Sequence, residues 1–192
     1  MKYVFLTLLG ILALLCIFNP KIHIFNIIKG HFSTYRNDNT GKVSLVDYLS
    51  FLFLPIIISY YITFISDIVL SKVDVLLTVF SIFTALLFNF LMLIIQVKEK
   101  ISAEKEELVD KVNLDKYYKC VDQTYYNVSF AILLSIMAII LLWIISILPN
   151  KEITLVLQIT SAVTETVMIM FFFDLIMILK RVFAIYDIKN QL

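Results

Sequence analysis

The chain has 192 residues, 61% of them apolar and only 16% charged, with a net charge of +1 and a mean hydropathy of +0.94. A soluble domain is roughly 45–50% apolar and about 25% charged, so this composition excludes a water-soluble globule and asks for lipid as the solvent. The near-zero net charge gives no electrostatic reason to bind nucleic acid, and no direct nucleic-acid contact is expected.

Tyr3 to Phe18 is an apolar run behind Lys2. No small-residue cleavage pattern follows it, and it leads into Asn19-Pro20-Lys21, so it reads as a span rather than a removed signal. At ~1.5 Å per residue it reaches about 24 Å, short of a ~30 Å hydrocarbon core, so its ends are expected to snorkel. Residues 20–30 place Ile22, Phe25 and Ile28 on one side, the period of a short headgroup-level helix that Gly30 stops. His23 and His31 read as interfacial, because no cysteine or acidic pair is spaced to join them around a metal. No metal and no cofactor are expected.

Residues 45–70 form the next span, with Pro55 as a kink. Span 75–97 follows the tight turn at Ser71-Lys72, and the charged stretch 98–127 comes after it. Spans 128–148 and 153–179 complete the chain, the last capped by Lys180-Arg181. The expected fold is all-α: a polytopic helical membrane bundle of five spans, with a cytoplasmic helical hairpin at 98–127 extending two of them. A four-span alternative has the first segment dip in and return. With five crossings, thirteen of the 16 Lys and Arg fall on one side, leaving Lys2, Lys72 and Lys151 opposite. The positive-inside rule then puts the hairpin and the C-terminus in the cytoplasm of a bacterial inner membrane.

Within the hairpin, Val97, Ile101, Leu108 and Val112 recur on one helical face surrounded by charge. Ile101, Leu108 and Val112 are the candidate docking seam for a cytoplasmic partner protein. Asn113-Leu-Asp115 reads as the break, with Asp115 capping the returning helix. Tyr117, Tyr118, Tyr125 and Tyr126 lead back to the bilayer surface.

No P-loop, dinucleotide fingerprint, zinc-protease motif or nucleophile elbow occurs, so no catalytic residue is assigned. Small and weakly polar stripes, Thr78, Ser81, Ala85, Asn89 and Gln96 in one span and Asn127, Ala131, Ser135, Ala138 and Ser146 in the next, are expected to pack helices together. Glu165 lies about 18 Å into the last span by helical rise, and Asn89, Ser135 and Ser59 fall near the same depth. These four are the candidate intramembrane polar layer. Asp174 points to the opposite face from Glu165, close to the basic pair, which suits either a neighbouring subunit or the interface. Polar residues facing two ways argue for a homo-oligomer surrounded by membrane lipid.

The short spans, charged hairpin and Ile-Leu-Lys180-Arg181-Val-Phe tail resemble the membrane subunits of bacterial antiphage systems of the Kiwa type. That resemblance implies a non-catalytic, oligomeric, pore-forming or scaffolding sensor of envelope disturbance that recruits a cytoplasmic partner. A bacteriocin immunity protein and a small proton-coupled transporter are the alternatives from other classes. The absence of an inverted repeat or paired broken helices argues against the transporter.

Overall fold

The computed structural model describes residues 24–35, 49–65, 68–104, 111–147 and 155–189. All regular structure among them is helical. Helix α1 is Ile24–Ser33; a π-helical turn, Leu49–Phe53, leads into α2, Leu54–Ile65; α3 is the short Ile68–Ser71. Three long helices follow: α4 Val73–Glu104, α5 Lys111–Ile147 and α6 Leu155–Lys189. The expected span 3–18 and the docking residue Leu108 lie outside the described residues, and of Val112 only the helical backbone is described.

None of the three long helices contains a glycine or proline, which is why each runs unbroken. All three are long and apolar enough to cross a membrane. At ~1.5 Å per residue they reach about 48–56 Å, far more than a ~30 Å core requires. Thr84 donates to Ser135 at 2.9 Å near one end of the α4–α5 pair, and Lys98 to Asp122 at 2.5 Å nearer the other, so the two run antiparallel. Helix α6 also packs along α5, Arg181 reaching Gln123 at the same end as the Lys98 pair, and its Phe171 and Phe172 rings meet Phe80 and Phe83 of α4.

Two apolar clusters hold the bundle. The larger joins Phe80 and Leu87 of α4, Ala131, Ala138 and Leu142 of α5, and Val167 and Phe171 of α6. The smaller sits at the charged end, where Ile94 and Ile101 meet Leu114, Tyr117 and Val121, with Ile185 and Ile188 of α6 packed against them. Full burial of a side chain of this size is worth roughly 1.5–3 kcal/mol against water, so the smaller cluster can hold the three helices together at their charged end.

Several boundaries differ from expectation. Helix α5 begins at Lys111 and runs straight through Asn113 and Asp115, so no break lies there. Helix α6 continues past Lys180-Arg181 to Lys189, because Ile185 and Ile188 find partners on the smaller cluster. The stretch 45–70 is divided, and its longest apolar helix, Leu49–Thr63, is shorter than a full crossing. Pro55 is the second residue of α2, directly after the π-helical turn, and the wider turn is where the helix Leu49–Thr63 accommodates a residue with no N–H to donate.

Helix α1 also continues through Gly30 instead of stopping there. A β-carbon at position 30 would overlap the Tyr126 ring, 2.6 Å from Cγ. Glycine is needed for close approach to α5, not as a cap. The inward face is Ile27, Ile28 and His31, while Phe25 points outward.

Candidate functional site

The close contact at Gly30 delivers the next residue, His31, onto the junction of α5 and α6. It is 2% exposed. Its ring stacks on Phe130 with centroids 3.9 Å apart. Nδ1 lies 3.1 Å from Asn127 Oδ1, and an amide oxygen only accepts, so Nδ1 carries the proton. Nε2 then accepts the phenolic hydrogen of Tyr35 at 2.7 Å. The neutral imidazole is thereby fully satisfied. Thr34 Oγ1 closes the turn on the His31 carbonyl at 2.7 Å and reaches Asn127 Oδ1 at 3.3 Å.

Burial lowers the His31 pKa to about 4; the nearby Arg181 charge lowers it further, and the Asn127 bond opposes the shift. Asp174 Oδ1 sits 3.7 Å from His31 Nδ1. The distance alone suggests an ion pair. Since the imidazole is neutral and its Nδ1 hydrogen goes to Asn127, we read it as a contact between an uncharged ring and a carboxyl group.

Arg181 closes the site from the end of the bundle that carries the Lys98–Asp122 pair. Its guanidinium donates to Gln123 Oε1 and, at 3.2 Å, to the Thr34 carbonyl, while its own carbonyl lies 3.7 Å from Cys120 Sγ. Among the described residues neither Asp174 oxygen has a hydrogen-bond donor, nor does Asn127 Nδ2 have an acceptor, although both side chains are buried. Orphaned buried polar atoms are rare and mark a site that is strained or takes something more.

The residues expected to form one polar layer are distributed over three places. Ser59 and Glu165 share the α2–α6 interface: Ser59 Oγ donates to the Ala162 carbonyl at 2.7 Å, and Thr63 Oγ1 to Glu165 Oε2 at 2.6 Å. Ser135 lies on the α4–α5 interface with Thr84. Asn89 faces outward on α4 with Thr78, Ser81, Ala85 and Gln96, on the side of that helix turned away from the apolar clusters. In the matching stripe of α5, Asn127, Ala131, Ser135 and Ala138 are fully buried, whereas Ser146 is exposed.

Ile101, from the expected docking seam, is 3% exposed inside the smaller cluster. Its face is taken by α5, so this residue offers no open docking surface. Interfacial placement of His31 misses its burial between helices, and the Asn127, Tyr35 and Arg181 partners were not singled out as a site. The usable signal was a glycine directly preceding a histidine on a short apolar-faced helix, together with Asn127 and Asp174 at the edges of apolar runs. Among the described residues no group of three or more His, Cys, Asp or Glu is placed to hold a metal. No protein-family model, curated protein or solved structure matches this chain.

Proposed function

We propose that the chain is a non-catalytic, homo-oligomeric subunit of a bacterial cytoplasmic membrane, acting as a sensor or scaffold of the envelope that recruits a cytoplasmic partner, as in antiphage systems of the Kiwa type. The observation that carries this reading is the second apolar cluster. Three helices continue beyond what a bilayer needs and pack around Ile101, Leu114 and Tyr117, forming a stiff stalk with Lys100, Lys116 and Lys119 exposed on it. A connector between spans needs no such core; an element that transmits or presents something does.

In this reading residues 3–18 and 45–70 supply two further crossings, the hairpin tip and the C-terminus lie in the cytoplasm, and the charge bias toward that side supports the orientation. The outward stripe of Thr78, Ser81, Ala85, Asn89 and Gln96 supports self-association, since small and polar residues let helices approach and bond across lipid. The test uses cells carrying the gene with its genomic neighbours. Leu114→Asp, which places a charge in the stalk core, should abolish protection against phage while membrane insertion persists. Full protection with a disrupted stalk refutes the reading.

A further inference from the structure

Helix α4 carries two rows of residues set on opposite sides. Phe80, Leu87, Ile94 and Ile101 recur every seven positions and are all buried in the two apolar clusters. A seven-residue repeat corresponds to 3.5 residues per turn, so each step along the helix turns it by about 103°. Residues two and five positions away from that inner row therefore fall just to either side of the opposite direction. They are Thr78, Ile82, Ala85, Asn89, Met92 and Gln96, alternately four and three apart, and every one is exposed. We propose that this outer row is the interface with a second copy of the chain, two α4 helices lying parallel across a two-fold axis with Asn89 facing its counterpart.

Alternating steps of three and four are the spacing by which one helix meets another along its whole length. The inner row matters to the outer one. At 3.6 residues per turn a seven-residue pattern drifts around the helix by ~20° per repeat, whereas a helix held to 3.5 by its buried side keeps its outer row straight. Helix α4 is also the least covered of the three long helices: 17% of its apolar window is buried within the chain, against 44% in α5 and in α6.

Exposed apolar side chains alone are at home in lipid, so Ile82 and Met92 name no partner. Asn89 does. It is the one polar residue between Ala85 and Ile95, at the midpoint of α4, and its carboxamide bonds to none of the described residues. Hydrocarbon offers neither donor nor acceptor, and leaving the amide bare there carries a heavy desolvation penalty. Thr78 meets the same demand within its own helix by donating to the Asp74 carbonyl at 3.0 Å. A carboxamide has both donors and an acceptor, so two of them related by a two-fold axis satisfy each other reciprocally. The row bears no formal charge to oppose such a pair, and Ala85, one turn away, lets the backbones approach. The two-fold pair presupposes the homo-oligomeric membrane subunit proposed above and names the face through which its copies meet.

The test is cysteine crosslinking of the full chain in bacterial membranes, with Cys16 and Cys120 replaced by serine. Thr78→Cys, Ala85→Cys and Met92→Cys lie on the outer row. Phe88→Cys and Leu93→Cys are exposed on the same helix but lie roughly 75° to either side of it. Under mild oxidation the three row positions should yield a species of twice the 22.3 kDa chain mass, while the two flanking positions stay at the level of the cysteine-free chain. Adding Asn89→Leu to Ala85→Cys should weaken association by about 3- to 30-fold and lower that yield, and Asn89→Gln, which keeps a carboxamide, should restore most of it. Equal crosslinking on and off the row, none on it, or indifference to Asn89→Leu overturns the proposal. A face covered by lipid or by another part of the same chain gives no doubled species and so also overturns it. Native mass spectrometry of the cysteine-free chain separates the two levels: multimers without crosslinks on the row refute this face alone, whereas a monomer refutes the homo-oligomer as well. Three row positions are probed, so loss of one variant to misfolding leaves two to decide.

Discussion

Replacing Gly30 with alanine should loosen α1, and the structure sets the size of the effect. The added β-carbon lands on the Tyr126 ring, 2.6 Å from Cγ. Cγ is next to the Tyr126 backbone, so the ring cannot swing aside without leaving its rotamer, and α1 must move instead. Overpacking of this kind costs about 1–3 kcal/mol, against a helix-propensity gain of up to about 1 kcal/mol for alanine over glycine. The net loss of about 1–2 kcal/mol corresponds to roughly a 5- to 30-fold rise in the open population of α1. Amide exchange over residues 24–35 reads this directly, and Tyr126→Ala supplies the control. With the ring removed, Gly30→Ala should cost nothing and reclaim the propensity gain, giving a double-mutant coupling of the size of the clash. An equal penalty in both backgrounds would refute the close-approach account, and with it the reason His31 reaches α5.

The His31 pKa falls from 6.5 to about 4 on docking, so the released helix binds the extra proton. Docking is therefore complete above about pH 6.5 and weakens as pH falls toward about 4, by up to about 3 kcal/mol; exchange that does not speed up on acidification, or that does so equally in His31→Gln, counts against it. Glu165→Leu removes the bond from Thr63 and should weaken packing of α2 on α6 by ~0.6–2 kcal/mol, whereas Glu165→Gln retains an acceptor for it; thermal unfolding in detergent separates the two. Lys116→Cys, in a chain whose two native cysteines are replaced by serine, should react with a membrane-impermeant thiol reagent only after the cells are opened. Labelling in intact cells reverses the orientation.

The membrane class was legible because it follows from bulk composition, and the long helices were legible because 75–97 lies wholly inside α4 and residues 128–147 of the expected span 128–148 lie inside α5. Their ends were not. Lys180-Arg181 reads as a terminus because a basic pair marks a membrane border. The helix passes that border because Ile185 and Ile188 contact residues more than sixty positions away in sequence. Asn113-Leu-Asp115 fails as a break for the same reason. Its turn-prone residues flank Leu114, which is 2% exposed in the stalk core, and tertiary burial outweighs a fraction of a kcal/mol of local preference.

The buried site was hidden by a different mechanism. Apolar periodicity assigns the face of α1 from Ile22, Phe25 and Ile28, because a histidine contributes nothing to an apolar count. The structure uses Ile27, Ile28 and His31, so the residue that matters most is the one the pattern discards. Its partners at 127, 174 and 181 stand far apart in sequence, and each alone has an ordinary explanation as packing or as an interface residue. Asn127 and the nearby Tyr35 satisfy both imidazole nitrogens, and among the described residues neither Asp174 oxygen has a donor. A site held together only for structure has no reason to retain that mismatch, since an asparagine or leucine at 174 would remove the charge at once. Asp174→Asn separates the charge of that side chain from its shape. Amide exchange over residues 24–35 that is unchanged in the variant shows that the carboxyl's charge does not bear on how α1 is held; altered exchange shows that it does.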